Sequence, residues 1–375
     1  MDMDVDDAVQ LLAEVGRFAR ERIAVLAARP ELPIAPPQMS SLTQEATELG
    51  ILPLTTSDEG FGIWEHHTDT MSFNTGALRH IAYASPGVAF AWHRLALARF
   101  VAQQLGLTLD SAALQGTALV PTGHYGLART SLARWLRGDE LHSDDSALLS
   151  DWLDRTSNST SVCAPQEWSG MLWPLWSDGC IAWQYTDRAT LNVRALGGMH
   201  GFDELTGFAV SQSVPPERLI QLDPQASRLL YMRMLKMDML GLLAIGGGAL
   251  DRGQELARNF AALRRQGGKI IAGHAAVQHM LSDIEITRHQ LDMALAAFDR
   301  PLDALDIGAL AAARVSMSNA LCLAANQVMQ VHGGTGYMRD VGPEKLLRDQ
   351  NMLKLMSGGT RDLHAFLAGW TGVCP

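Results

Sequence analysis

The sequence predicts an α+β fold in which two helical sections enclose a short β-rich middle section. Three observations support this prediction. Apolar residues recur at helical spacing over residues 6–28, and the same period returns in long segments after residue 223. Between 118 and 222 the pattern changes to short β-prone runs separated by Gly, Pro, Asp and Ser. The 375 residues are enough for several domains, which we expect at residues 1–117 (all-α), 118–222 (β) and 223–375 (helical bundle).

The N-terminal section begins with an amphipathic helix over residues 6–28, which a Pro-rich link at residues 30–37 ends. Ser41 followed by Gln44 has the spacing of a capping box, so the second helix is predicted to begin at Ser41. Segments rich in Ala and Leu near residues 70–115 predict further helices.

The middle and C-terminal sections are predicted from equally local patterns. Short runs with high β propensity predict strands at residues 118–120, 161–164, 181–185, 191–193 and 207–210, which we expect to form antiparallel sheets. After residue 223, the segments Leu229–Phe260 and Ala275–Phe298 are each long enough for a bundle helix. Glycines 246–248 lie inside the first of these segments and predict close helix packing rather than a dinucleotide-binding loop.

Composition excludes several classes of function. The net charge of −10 and the pI near 5.6 argue against a nucleic-acid partner. The apolar run Met239 to Leu250 is well short of the ~20 residues of a membrane span. The first residues show neither a positively charged nor an apolar region, so we do not expect a secretory signal, and four separated cysteines without Cys-x-x-Cys spacing indicate reduced thiols. The histidines show no metal-binding spacing. We therefore expect a cytoplasmic protein with no membrane span and no metal site.

The most specific motif lies near the C-terminus. It reads Gln330-Val331-His332-Gly333-Gly334-Thr335-Gly336-Tyr337, then Leu347-Arg348-Asp349, then Ser357-Gly358-Gly359-Thr360. This series resembles the C-terminal signature of the flavin-dependent acyl-CoA dehydrogenase superfamily, which runs Gln-Ile-x-Gly-Gly-x-Gly-Tyr, Arg-Asp and Glu-Gly-Thr. Residues 264–269, followed by 277–279, resemble a further family motif, Arg-x-x-Phe-Gly-x-x-Ile…Gln. The resemblance implies an acyl-CoA dehydrogenase-like fold with an N-terminal helical domain, a middle antiparallel β domain and a C-terminal helical bundle.

The resemblance also implies a cofactor and partners. It implies FAD, an acyl-CoA substrate, and an electron-transfer flavoprotein or a similar electron acceptor. In the family, the Arg at position 264 reaches the FAD pyrophosphate of a neighbouring subunit, and a guanidinium fork suits phosphate oxygens. A homo- or hetero-oligomer, either a dimer or a tetramer, is therefore expected. Further cofactor contacts are implied for Gln266, Gln330, Gly333 and Gly334, although Gly333 would also serve as a helix C-cap.

One position that is important for catalysis in the family departs from the signature. In many family members the Glu of Glu-Gly-Thr removes a proton from the acyl-CoA, and that position is Gly358 here. Some members place the Glu on an earlier helix, at a position near Met234. Asp238 lies one helical turn further on the same face and is our candidate base. The alternative is that Asp238 pairs with Arg233 or Lys236, or lies at a subunit contact.

The middle section departs from the family more widely. Residues 120–126 lie where the family has its flavin loop. Residues 174–182 replace the family segment that lies near the flavin ring. Their sequence resembles that of a divergent branch of the family, some of whose members are hetero-oligomers. Three hypotheses follow. The chain is an FAD-dependent acyl-CoA dehydrogenase that catalyses α,β-dehydrogenation, with or without a partner subunit; or it is a non-catalytic subunit of a hetero-oligomeric acyl-CoA dehydrogenase; or it is a flavin-dependent monooxygenase of the same fold. We favour the first.

Overall fold

A computed structural model describes residues 5–52, 62–65, 69–107, 117–119, 125–154, 159–212 and 219–372. Helix α1 (Val5–Phe18) continues through a π-helical turn at Ala19–Ile23 and a last helical turn at Ala24–Leu26. It is followed by α2 (Pro36–Glu48), α3 (Ser72–Ala84) and α4 (Pro86–Gln104). Helix α4 is buried on all sides from Pro86 to Ala102, so any polar side chain on it requires a buried partner.

The predicted start of the second helix was wrong. Helix α2 begins at Pro36, because proline at the first helical position has the required φ and no unsatisfied N–H. The side chain of Gln38 accepts a hydrogen bond from the backbone N–H of Ala35 at 3.1 Å and closes the N-terminus. Ser41 lies inside the helix, where its hydroxyl donates to Glu45.

The middle section contains two three-stranded sheets. In the first, β1 (Thr117–Leu119) pairs in parallel with β3 (Gly170–Ser177), which pairs antiparallel with β4 (Cys180–Asp187). In the second, β6 (Thr206–Gln212) lies between β2 (Thr160–Ala164) and β5 (Leu191–Ala195), and both pairs are antiparallel. Side chains from both sheets share one core, formed by Val162, Met171, Trp173, Phe208 and Val210 together with Trp168 from the β2–β3 connection.

This section differs from the prediction in three respects. The pairing of β1 with β3 is parallel, although only antiparallel sheets were expected. It also contains two helices, α5 (Tyr125–Arg137) and α6 (Ser143–Leu153), where only strands and loops were expected. Strand β3 was not predicted, because its residues from Gly170 to Leu175 are all buried and show no alternation of apolar and polar side chains.

The C-terminal section is a helical bundle built around a long central helix. The bundle contains α7 (Pro224–Leu263), α8 (Ala275–Ala297), α9 (Ile307–His332), α10 (Pro343–Leu355) and α11 (Gly359–Trp370), with a short hairpin, β7 (Arg265–Gln266) and β8 (Lys269–Ile270), after α7. Helix α7 packs against α3, α4, α8, α9 and α10. A Cβ atom at Gly248 would lie 2.2 Å from the carbonyl oxygen of Arg79, which confirms the predicted close packing at this point.

Helix α9 with the turn that follows it is long and apolar enough to cross a membrane by length and composition, a property that the sequence analysis did not identify. In the fold, 61% of its most apolar window is buried inside the protein. This helix therefore belongs to the core of the bundle.

Candidate functional site

The end of the bundle where α7 and α9 both terminate brings the predicted cofactor residues together. The rings of Phe260 and His332 lie 4.5 Å apart and join the last turns of the two helices. The Nδ1 atom of His332 donates to the carbonyl of Val328 at 2.8 Å, which fixes the ring. Arg264 follows Phe260 by one turn, and Gly333 directly follows His332, so both lie at this end.

Arg264 lies between α7 and the short hairpin, and Gln266 lies in its first strand. The backbone N–H of Arg264 donates to Phe260 and ends α7, while its carbonyl accepts from Ile271 at 2.9 Å. Both side chains are exposed. Within the described ranges, the guanidinium of Arg264 makes no hydrogen bond or ion pair. The backbone thus holds Arg264 firmly, and its charge remains available to a ligand.

Gln330, Gly333 and Gly334 form the other half of this surface. Gly333 ends α9 with a φ of 59°, as the C-cap interpretation predicts. A Cβ atom at Gly333 or Gly334 would have no neighbour within 4 Å, so the backbone there faces open space. The Nε2 atom of Gln330 donates to the hydroxyl of Tyr337 at 2.9 Å. We call the five residues Arg264, Gln266, Gln330, Gly333 and Gly334 the bundle-end patch.

Asp238 lies elsewhere, in a buried charge cluster that consists of Trp64, His93, Arg94, Asp238 and Ser357. The carboxylate of Asp238 forms an ion pair with Nη2 of Arg94, 3.0 Å away, and accepts a hydrogen bond from Nε2 of His93 at 3.1 Å. The indole N–H of Trp64 donates to Nδ1 of His93 at 2.9 Å. Because an indole nitrogen can only donate, Nδ1 is the acceptor and the proton of the neutral imidazole is on Nε2.

Burial and neighbouring groups shift the pKa values of His93 and Asp238. Burial lowers the pKa of His93, so its contact with Asp238 is a hydrogen bond of the neutral ring. Burial alone would raise the pKa of Asp238, but the charge of Arg94 and the hydrogen bonds from His93 and Ser357 outweigh it and hold that pKa below its usual range. A lowered pKa makes the Asp238 carboxylate a weaker base than a carboxylate in an apolar pocket.

The alternative partners considered for Asp238 are engaged elsewhere. The guanidinium of Arg233 forms an ion pair with Asp303, with Nε 2.7 Å from Oδ1. The ammonium of Lys236 donates to the backbone carbonyls of Leu302 and Asp303 at 3.3 and 3.4 Å. Asp238 is instead paired with α4, and the suggested pairing with Arg233 or Lys236 was wrong.

The turn before α11, which contains Gly358, has an unusual backbone. Ser357 has φ 56° and ψ 44°, and Gly358 and Gly359 follow with φ values of 96° and 61°. A left-handed conformation costs a residue other than glycine roughly 1–2 kcal/mol. Nη2 of Arg94 donates to the hydroxyl of Ser357 at 2.5 Å. The buried charge cluster therefore lies directly beside position 358.

His93 and Arg94 were missed by the sequence analysis, although a signal was present. They are adjacent polar residues inside the apolar run that forms α4. A helix that is apolar on all sides is buried, and a charged residue on it requires a partner. Residues 120–124 of the predicted flavin loop lie outside the described residues.

Comparisons with known proteins agree with this architecture. Residues 229–366 match the family described as Acyl-CoA dehydrogenase, C-terminal domain. A probable acyl-CoA dehydrogenase of Bacillus subtilis is 28% identical over 151 residues, which are 39% of this chain and 38% of the relative. The 3-sulfinopropanoyl-CoA desulfinase of Paraburkholderia xenovorans is 32% identical over 131 residues, 34% of this chain and 32% of the relative. The chain thus matches less than half the length of each relative.

Two solved structures match nearly the whole chain. Butyryl-CoA dehydrogenase from Megasphaera elsdenii superposes with a TM-score of 0.72 at 16% identity, and the superposition covers 98% of this chain and 99% of the dehydrogenase chain. A structure of PigA with FAD and proline superposes with a TM-score of 0.73 at 14% identity and covers 100% of both chains. At such identities the likeness concerns the fold, with N-terminal helices, a middle antiparallel β region and C-terminal helices. The family match of residues 229–366 shows that the chain belongs to the acyl-CoA dehydrogenase superfamily.

Proposed function

We propose that this chain binds FAD at a subunit interface and takes part in the α,β-dehydrogenation of an acyl-CoA thioester in the cytoplasm. The observation that supports the proposal most directly is the bundle-end patch, which is exposed and lies in a fold of an FAD-dependent family. An electron-transfer flavoprotein or a similar protein would accept the electrons. The acyl group is left open.

The residues of the patch fit the diphosphate part of FAD. Arg264 offers a guanidinium that has no partner among the described residues, and such a group binds phosphate oxygens by charge-assisted hydrogen bonds. The absent side chains of Gly333 and Gly334 leave backbone open to close approach. When bound, FAD supplies the acceptor for the hydride that leaves the acyl β-carbon. Because the patch faces outward, we propose that it serves the cofactor of a neighbouring subunit.

Arg264→Ala tests this assignment. The loss of a charge-assisted contact of about 1.5–3 kcal/mol should weaken flavin retention roughly tenfold to a hundredfold. The measurement is the flavin absorbance that remains after extensive dialysis of the purified protein. Arg300→Ala is the control, because Arg300 is also exposed but follows α8, whose length of roughly 34 Å separates it from the hairpin. Equal flavin content in wild type and Arg264→Ala would reject the assignment.

A second candidate function is that of a non-catalytic subunit in a hetero-oligomeric dehydrogenase. It is favoured by Gly358 at the position of the family base and by Asp238, whose carboxylate is engaged by Arg94 and has a lowered pKa. If the chain acts alone, Asp238 remains our candidate base. Purification with and without a paralogous subunit, followed by flavin reduction with acyl-CoA, separates the two functions.

Gly358→Glu tests the second candidate directly. The substitution restores a carboxylate at the family position, so a chain that never reduces its flavin should gain exchange of the acyl-CoA α-proton with solvent. The left-handed backbone at Gly358 should cost the variant about 1–2 kcal/mol of stability. Gly372→Glu is the control, since Gly372 has a similar backbone at an exposed position. Absence of exchange in a folded, flavin-loaded Gly358→Glu protein would contradict the prediction.

A further inference from the structure

A chain of buried hydrogen bonds connects two strained residues that are far apart in sequence. Trp64 and Ser357 both have positive φ values, 70° and 56°, although neither is glycine. Trp64 donates to His93, and His93 donates to Asp238. On the other side of Asp238, Arg94 contacts both this carboxylate and the hydroxyl of Ser357. Strained residues persist where the surroundings hold them, and they concentrate at functional sites.

Arg94 is the central residue of this chain because it is held from several sides. Its guanidinium lies 5.0 Å from the centre of the Phe90 ring. Its Nη2 atom is shared between Asp238 and Ser357, at 3.0 and 2.5 Å. The neutral His93 orients the carboxylate of Asp238 without competing for its charge. Motion of Arg94 would therefore move the hydroxyl of Ser357, and with it the turn that precedes α11.

We propose that Arg94 is a positioning residue, which Asp238 holds in place, and that it acts through Ser357 to fix the turn at residues 356–359 against the acyl group. The inference rests on the proposed function, because only in that function does position 358 face an acyl-CoA. It gives Asp238 a role other than that of the base. The two roles of Asp238 predict opposite results when the guanidinium is removed.

The base hypothesis predicts a gain when the Arg94 charge is lost. Without that charge, the carboxylate of Asp238 would bind a proton more readily, so the rate of proton abstraction would rise and its pH profile would shift to higher pH. The positioning role predicts a slower reaction with an unshifted pH profile, since the group that holds the turn is lost while no titrating group of the reaction changes.

Hydrogen–deuterium exchange of the flavin-loaded protein tests whether Arg94 holds the turn. In Arg94→Lys, the peptide that spans residues 353–370 should exchange at least tenfold faster than in wild type, while peptides from α8 stay unchanged. Arg99→Lys is the matched control, because Arg99 is a second buried arginine on α4 and its guanidinium has no hydrogen-bond partner among the described residues. Equal exchange in wild type and Arg94→Lys, or the same increase in Arg99→Lys, would overturn the proposal.

Ser357→Ala provides a second variant in case Arg94→Lys does not fold. It removes the hydroxyl, which contacts both Arg94 and Asp238, and keeps the Arg94–Asp238 charge pair, so the same peptide should again exchange at least tenfold faster. In a Ser357→Ala background, the further change Arg94→Lys should add less than a twofold increase, because both residues act through one contact. If the two substitutions raise the exchange rate independently, so that their factors multiply, Arg94 does not act through Ser357.

Kinetics test whether the turn matters to the reaction. With butyryl-CoA and octanoyl-CoA as probes, Arg94→Gln and Ser357→Ala should each lower flavin reduction at saturation at least tenfold, with acyl-CoA affinity within twofold and the pH profile unshifted. If the wild type does not reduce its flavin, the variants are made in the Gly358→Glu background, and the rate of acyl-CoA α-proton exchange is compared instead. If the wild type holds no flavin, or shows no spectral response to acyl-CoA, the proposed function is rejected. If the wild type responds and the variants are unimpaired, only the positioning role of Arg94 is rejected.

Discussion

At the scale of single residues, the buried charge cluster shows that the energetic cost of a buried charge depends on its partner. Asp238 and Arg94 are both almost inaccessible to solvent. Removing one member of such a pair leaves the other charge buried without compensation, which typically costs 3–5 kcal/mol. The same pair determines whether Asp238 is able to act as a base.

Asp238→Asn should therefore destabilise the fold by about 3–5 kcal/mol at neutral pH, as measured by urea denaturation. Because the pKa of Asp238 is lower in the folded than in the unfolded chain, the carboxylate stabilises the fold above about pH 4 and loses this effect as the pH falls through the folded pKa. The difference between wild type and variant should thus be constant from about pH 5 to 8 and shrink below about pH 4.

Asp283→Asn is the control for this comparison, because Asp283 is exposed on α8 and should change stability by less than about 0.5 kcal/mol. A difference between wild type and Asp238→Asn that grows as the pH falls would contradict the assigned ionisation of Asp238.

At the scale of elements, helix α9 presents an exposed stripe without any charge. The stripe consists of Ala309, Ala312, Ser316, Asn319, Leu323, Asn326 and Gln330. It runs the length of the helix and ends at the bundle-end patch. An uncharged stripe of mostly small residues permits close approach of another helix, so this face is where we expect a second subunit to pack.

Leu323→Glu should weaken that association at least tenfold, because the side chain is 67% exposed in the single chain and a carboxylate would be buried on assembly. Light scattering coupled to size-exclusion chromatography should show a smaller mass than for wild type. Val9→Glu is the control, since Val9 is 63% exposed on α1, away from the bundle. An unchanged mass for Leu323→Glu would exclude this face as the interface.

At the scale of the whole molecule, a buried triad joins its three sections. The ammonium of Lys345 on α10 lies 2.7 Å from Asp349 and 3.1 Å from Glu204, which precedes β6. Glu204 also accepts from the hydroxyl of Ser85 at the start of α4, and Asp349 accepts from the backbone N–H of Phe202 at 2.7 Å. Burial raises the pKa of Asp349 even beside Lys345.

Lys345→Met should destabilise the protein by about 3–5 kcal/mol near pH 8, because two buried carboxylates lose the cation between them. Protonation relieves their repulsion, so the deficit should be smaller at pH 5 than at pH 8. Urea denaturation at the two pH values measures the effect. Lys354→Met, on the same helix and without an ion pair among the described residues, should cost less than about 0.5 kcal/mol; an equal loss in both variants would refute the role of the triad.

The sequence by itself determined the features that short segments encode. Helical periodicity predicted the cores of Pro224–Leu263 and Ala275–Ala297, since the spacing of apolar residues fixes which face of a helix is buried. The C-terminal motif placed Gly333 at the end of α9, because glycine accepts the left-handed backbone there. It also indicated the superfamily, which the comparisons confirm.

Only the tertiary structure decided which buried polar side chains meet. Asp238 and His93 are 145 residues apart, and no local pattern states that α4 and α7 would place them in contact. Nor did the sequence reveal β3, whose residues are buried on both faces of the sheet and so show no alternation. Helical spacing specifies where a side chain points, but the partner of a buried charge depends on which distant segment packs against it. The environment of Asp238 is therefore a property of the fold.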